Sequence, residues 1–134
     1  MQPRRKTRQI KFGDDQHGYV TIGGNAPVSV QTMTAGYTYE IDKCIAEIHK
    51  LTAAGADLVR VAVPEKKDTE ALNQILPQVN VPIVADVHFH FQRALEAIEA
   101  GVHKIRLNPG NIQDHTQVKK VIDACKERHI PIRI

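Results

Sequence analysis

An unbroken alternation of short apolar runs with longer amphipathic ones constrains this chain more than any other feature. From residue 28 it reads as strand 28–32, helix 38–54, strand 57–63, helix 69–79, strand 81–87, helix 91–100, strand 103–107, helix 115–128 and strand 130–134. The helical stretches carry apolar residues three and four apart, as in Ile41, Cys44, Ile45, Ile48 and Leu51, the spacing that lines one helix face. The strands are almost continuously apolar, as in Leu58, Val59, Val61, Ala62 and Val63, the composition expected when both faces of a strand are covered. Thr38 and Asp68 are placed to cap helix starts, Asp114 and Gln117 have capping-box spacing, and Gly55 and Gly101 stand where helices should stop. Strand and helix alternating in this way specify βαβ units and a parallel sheet.

An internal repeat narrows the choice of sheet. Ala54-Gly55-Ala56-Asp57-Leu58-Val59-Arg60-Val61 returns 46 residues later as Ala100-Gly101-Val102-His103-Lys104-Ile105-Arg106-Leu107, and Val81-Pro82-Ile83 returns 49 residues later as Ile130-Pro131-Ile132. The repeat spans two βα units, so alternate strands resemble each other. In a (β/α)8 barrel alternate strands supply the side chains of each interior layer. That gives a two-unit repeat a physical reason, which a doubly wound open sheet does not offer. The expected fold is therefore α/β: the first half of a TIM-type (β/α)8 barrel, with about five strands and four helices. A complete barrel takes about 250 residues, and a half-barrel leaves strand edges open. The remaining strands are expected from further chain or from a partner. Residues 1–8 read as a basic tail, residues 9–24 as a β-hairpin turning around Gly13, Asp14, Asp15 and Gly18, and residues 25–134 as the half-barrel.

The 134 residues, 42% apolar and 25% charged, suffice for a domain with a real core. No apolar run reaches the roughly 18 residues of a membrane helix. No apolar segment follows the basic Arg4, Arg5, Lys6 and Arg8, so no secretory signal is read and the expected location is the cytoplasm. A net charge of +3, part of it in the tail, and 4% aromatic residues without Trp supply little for a nucleic-acid surface. Cys44 and Cys125 lack the paired spacing of a disulfide framework or a zinc site. Each falls in an apolar helical series and is expected as a small buried hydrophobe.

In such a barrel the chemistry lies at the C-terminal ends of the strands. Arg60 and Arg106 occupy equivalent positions of the second and fourth barrel strands. An unpaired guanidinium in an apolar strand is costly, so each must meet an anion. That anion is either an internal carboxylate such as Asp86 or a substrate phosphate or diphosphate, which arginine binds bidentately. Recurrence in the repeat favours the phosphate, and Arg133 on the fifth strand is a candidate third member. Asp86-Val87-His88-Phe89-His90 sends Asp86, His88 and His90 to one side of an extended strand. The spacing suits a divalent-metal cluster, an acid/base pair in which Asp86 orients His88, or a hydrogen-bonded polar cluster. Asn108-Pro109-Gly110-Asn111 is an anion-binding nest or a plain turn, and Gln31-Thr32-Met33-Thr34 offers hydroxyls to a ligand or to the local backbone.

Taken in order, Val30-Gln31-Thr32-Met33-Thr34, Val59-Arg60-Val61-Ala62-Val63-Pro64, Val84-Ala85-Asp86-Val87-His88-Phe89 and Lys104-Ile105-Arg106-Leu107-Asn108-Pro109-Gly110-Asn111-Ile112 resemble the N-terminal barrel of the 4-hydroxy-3-methylbut-2-enyl diphosphate synthase family. The resemblance starts at about residue 4 and is most specific at the Arg-x-Asn-Pro-Gly-Asn-Ile segment. It implies an iron–sulfur oxidoreductase of non-mevalonate isoprenoid biosynthesis. Such an enzyme converts 2-C-methyl-D-erythritol 2,4-cyclodiphosphate to a linear allylic diphosphate, with electrons from ferredoxin or flavodoxin passing through a [4Fe–4S] cluster. It further implies a homodimer, with three Cys and a Glu of a separate C-terminal domain holding the cluster over the partner's barrel mouth. By motif, Arg60, Asp86, His88, Arg106, Asn108 and Arg133 match substrate-contacting positions. The arginines would neutralise the diphosphate, while Asp86, His88 and Asn108 would fix it by hydrogen bonds. Thr32 stands where the family usually has Ser. His90 stands where it usually has Asp, so no role passes to His90. Cys44 and Cys125 match none of the cluster ligands. This stretch by itself is expected to hold no metal or cluster and to be inactive, with no residue assigned as catalytic. Two other readings stay open: another phosphate-binding barrel enzyme, such as a pterin- or aldolase-like one, and a non-catalytic half-barrel assembly module.

Overall fold

The computed structural model describes residues 5–88, 90–108 and 114–134. An antiparallel hairpin, β1 (Ile10–Asp14) and β2 (Gly18–Ile22), precedes five parallel strands: β3 (Gln31–Met33), β4 (Leu58–Ala62), β5 (Ile83–Val87), β6 (Lys104–Leu107) and β7 (Ile132–Arg133). Between them run α1 (Ile41–Ala53), α2 (Lys66–Ile75, extended by a 3-10 turn at Leu76–Gln78), α3 (Phe91–Ala100) and α4 (His115–Glu127). The strands lie side by side in chain order, β3-β4-β5-β6-β7. The helices follow suit, α1 packing on α2, α2 on α3 and α3 on α4. A doubly wound sheet would reverse its strand order and place helices on both faces. One run of neighbouring strands under one layer of helices is instead the winding of a barrel.

The two-residue period of the strands sorts the side chains. Val59, Val61, Ile83, Ala85, Ile105 and Leu107 face the helices and join Ile48, Leu72, Ile75 and Ile98 in the main core. Burying each such side chain contributes about 1.5–3 kcal/mol. Cys44 and Cys125 lie in the same core, as their helical spacing implies. Leu58, Arg60, Val84, Asp86, Lys104 and Arg106 alternate with the helix-facing residues and so face the barrel interior. The hairpin covers the N-terminal end of that interior, where Phe12 and Val20 pack on Leu58 and Val84. The Lys104 ammonium rests 5.5 Å from the centre of the Phe12 ring. In the hairpin, Gly13 has φ +127°, and a Cβ there would lie 2.0 Å from the Gly18 carbonyl oxygen, so only glycine fits. The interior is thus floored at one end, where Lys104 rests on Phe12, and Arg60, Asp86 and Arg106 gather toward the other.

Local chemistry corrects several helix starts. α1 begins at Ile41 behind Glu40, and Thr38 does not cap it. The Thr38 hydroxyl instead donates to the Ala62 carbonyl at 2.6 Å, tying the β3–α1 loop to the end of β4. α2 begins at Lys66, with Asp68 inside its first turn rather than before it. Glu65 and Asp68 form a capping box there. Asp68 also accepts the Tyr39 N–H at 3.0 Å, so one carboxylate secures both α2 and the β3–α1 loop. Asp114 caps α4 by accepting the Thr116 N–H at 2.8 Å, and α3 ends at Gly101 with φ +101°. The expected strand 28–32 is reduced to Gln31–Met33. No helix among the described residues is long and apolar enough to cross a membrane. Asp68 is 2% exposed, so Asp68→Ala leaves two backbone donors without their acceptor. Denaturant titration of the intact protein should show a loss of about 1–3 kcal/mol.

Candidate anion-binding site

β5 ends in a buried carboxylate. Asp86 faces the interior with 1% exposure. Strand register sets it beside Ala62 of β4 and Arg106 of β6, and sets Arg106 beside Arg133 of β7. Arg106 Nη1 donates to Asp86 Oδ1 at 2.9 Å. Arg60 Nε lies 3.6 Å and His88 Nε2 3.3 Å from Oδ2. The internal-carboxylate reading of the arginines is therefore the one seen. They do pair with Asp86, but a single carboxylate answers two guanidinium groups, and the interior keeps an excess of positive charge. Lys104 and Arg133 on the same face add to it. Burial, reinforced by the Arg133 charge, holds the Lys104 ammonium below the usual lysine value.

Arg60 shows what is missing. Its Nε is buried without a hydrogen-bond partner among the described residues, since 3.6 Å to Asp86 is too long for one. Its Nη2 meets the Met33 sulfur, a weak acceptor, at 3.5 Å. An oxygen-rich anion would satisfy donors that the protein leaves wanting. The register also explains the sequence repeat. Arg60 is level with Val84 and through it with Lys104, two residues before Arg106. Two residues over two strands is the stagger of about one residue per strand in an eight-stranded barrel of shear 8. Arg60 and Arg106 thus belong to one interior layer, with Asp86 between them.

His88 follows β5 directly. Asn108 follows β6, with its backbone N–H on the Val87 carbonyl at 3.4 Å. Arg133 is exposed on β7. The extended path ends at Val87, and His90 becomes the exposed N-cap of α3. Asp86 and His88 meet, but His90 does not join them, so the three-ligand metal reading of this segment loses a member. Phe89 and residues 109–113, including most of the expected Asn108-Pro109-Gly110-Asn111 nest, lie outside the described residues. Thr32 shares its side of the sheet with Val59, facing the helices, and so stands apart from the arginines. Thr34 is buried with its hydroxyl unpartnered. Met33 and Lys104 were named in the sequence motifs but given no role beside the arginines. Strict alternation from Arg60 and Arg106 across the register would have found both.

The cysteines do not suit an iron–sulfur cluster. They sit on different helices, facing the core. Burial pushes both thiols up to about 11, with Glu47 and Asp68 adding to the effect at Cys44. A cluster needs thiolates.

Comparison with known proteins agrees with this architecture. The model of the GcpE TIM-barrel domain matches residues 7–134. The chain is 47% identical over 131 residues to a 4-hydroxy-3-methylbut-2-en-1-yl diphosphate synthase (flavodoxin) of Geobacillus thermodenitrificans, covering 98% of this chain and 34% of that protein. A synthase of the same name from Bacillus cereus is 46% identical over 134 residues, covering all of this chain and 35% of that protein. The chain therefore spans about a third of the length of these relatives. Among solved structures, a dihydropteroate synthase of Xanthomonas albilineans aligns with a TM-score of 0.61 at 17% identity, over 93% of this chain and 49% of that one. That likeness speaks to the barrel fold alone. The family match runs from ahead of the hairpin through β7, and the chain belongs to the GcpE TIM-barrel domain family.

Proposed function

We propose that this chain is the substrate-binding part of a 4-hydroxy-3-methylbut-2-en-1-yl diphosphate synthase, and that its arginine-rich mouth holds the diphosphate of a cyclic diphosphate substrate. The supporting observation is the charge imbalance around Asp86: two guanidinium groups converge on one buried carboxylate, and Arg60 keeps an unsatisfied Nε. Phosphate oxygens are the acceptors that planar guanidinium donors fit best. In this reading Arg60, Arg106 and Arg133 neutralise the anion. Asp86 keeps Arg60 and Arg106 aimed and accepts from a substrate hydroxyl, while His88 and Asn108 supply further hydrogen bonds.

The chain's part in the reaction is binding and orientation. The [4Fe–4S] cluster would supply single electrons, and its ligands belong to the greater part of the protein that this chain does not span. Flavodoxin, which the relatives' names carry, or ferredoxin would be the donor. A cytoplasmic homodimer belongs to the same proposal.

Titration calorimetry of the intact protein with the cyclic diphosphate tests the assignment. Arg106→Ala should weaken binding by about 10–100-fold, the equivalent of losing a charge-assisted hydrogen bond of about 1.5–3 kcal/mol, and unchanged affinity would sink it. Arg60→Lys keeps the charge but loses the fork, so it should bind more weakly than wild type and more tightly than Arg60→Ala. Iron analysis of anaerobically purified protein separates the cluster from this chain: Cys44→Ala and Cys125→Ala should each leave the iron content unchanged, and loss of iron in either would place a ligand here.

A further inference from the structure

A second cluster of titratable groups lies at the opposite end of the sheet, and the anion site makes no use of it. Asp14 ends β1, His17 stands in the β1–β2 turn, and His103 immediately precedes β6. The two histidines are 7% and 6% exposed, with ring centres 4.5 Å apart. Their bonds fix where the hydrogens must be. The Ile83 N–H donates to His103 Nδ1 at 3.0 Å, so that nitrogen offers its lone pair and the hydrogen sits on Nε2. Nε2–H in turn donates to Asp14 Oδ2 at 2.8 Å. His17 Nε2 lies 2.7 Å from the Leu76 carbonyl and His17 Nδ1 2.7 Å from Asp14 Oδ1, which also accepts the His17 backbone N–H. Both His17 nitrogens thus face oxygen acceptors.

Two histidines and a carboxylate also have the chemistry of a metal site, but the hydrogen bonds argue otherwise. A metal on His103 Nε2 would displace its hydrogen while Nδ1 is already committed to Ile83. An N···O separation of 2.7 Å likewise leaves no room for an ion that stands about 2 Å from each ligand at a tetrahedral angle. These are the separations of shared protons.

We propose that Asp14, His17 and His103 form a proton-operated clasp, which fastens the N-terminal hairpin to the floor of the barrel and opens when His103 takes a second proton. That proton would have to sit on Nδ1, stripping the buried Ile83 N–H of its acceptor and placing a cation against the His17 ring. Burial lowers the proton affinity of His103, and the His17 charge adds to this against the pull of Asp14. At Asp14 burial acts upward. The hydrogen bonds from His103, from the His17 backbone and from the His17 ring together outweigh it and hold the carboxyl well below its usual range. Both folded values lie below the unfolded ones. The clasp's contribution is therefore complete above the ordinary histidine value of about 6.5, and it is lost as the pH falls, His103 failing before Asp14. A cavity of about 490 Å³ beside the clasp, lined by Lys11, Asp14, Tyr19, His103, Arg128 and His129, gives solvent access. Lys11 on β1 and Arg128 and His129 after α4 bring further positive charge to that side, which opposes the second proton as well. Tyr19 is engaged by Asp15.

The clasp bears on the mouth through the strands. His103 and Ile83 exchange two bonds, Ile83 N–H to Nδ1 and His103 N–H to the Ile83 carbonyl. They pin β5 and β6 three residues before Asp86 and Arg106. His103 is thus a positioning residue for that pair.

Hydrogen exchange on the intact protein reads the clasp directly. Protection of residues 10–22, corrected for intrinsic rates, should fall by about tenfold or more between about pH 7.5 and about pH 5. In His103→Gln, which can keep a donor toward Asp14 but cannot titrate, the fall should be within about twofold. No fall in the wild type, or an equal fall in the variant, overturns the proposal. Should the variant not fold, ring-nitrogen NMR of the wild type decides. His103 neutral with its hydrogen on Nε2 at neutral pH supports the clasp. A hydrogen on Nδ1, or ring resonances of His17 and His103 that move on adding zinc, overturns it.

Discussion

A carboxylate with 1% exposure cannot stand alone, and Asp86 organises the charged end of this half-barrel for that reason. It draws Arg60 from β4 and Arg106 from β6, the strands on either side of its own. Neither arginine could occupy an otherwise apolar strand without it. Asp86 holds them without exhausting them, because two guanidinium groups carry ten N–H donors and one carboxylate has about four acceptor sites. Donors are left over where a buried acid is outnumbered.

Much of this was legible in the sequence. Helices and strands followed from periodicity, and the barrel followed from a repeat that the register explains as one interior layer. The helix starts were less legible because Thr38 and Asp68 each had a long-range alternative. Thr38 reaches Ala62 on β4, and Asp68 reaches Tyr39 across the β3–α1 loop, contacts that depend on how two βα units pack. The side His90 takes was not legible, because alternation holds only while a strand continues and β5 stops at Val87.

The clasp was hidden for the same reason. Asp14 and His17 sit in a turn that reads as ordinary punctuation, and His103 looks like a strand-leading residue 89 positions after Asp14. Only the folded hairpin brings them together. The sequence does carry one trace: where the first repeat unit has Asp57, the second has His103. Asp57 accepts the Val30 N–H from the start of the barrel and His103 Nδ1 accepts the Ile83 N–H, so both positions fasten the base of a strand with the same hydrogen-bonding polarity.

The two polar clusters sit at opposite ends of the same pair of strands, and their hydrogen-bond balance separates their roles. At the floor, each ring nitrogen of His17 and His103 has a partner of the right kind, and both oxygens of Asp14 accept. Such a cluster has nothing to offer a ligand, and it stabilises the fold, as the N-terminal face of a barrel generally does. At the mouth, among the described residues, Arg60 Nε has no acceptor, its Nη2 is left with a sulfur, and positive charge is in excess. An incomplete buried network lowers stability, so one that persists beside a fully satisfied cluster on the same strands is best explained by a partner that completes it. The diphosphate proposed above, an oxyanion with several acceptors, has the charge and the acceptors to do so.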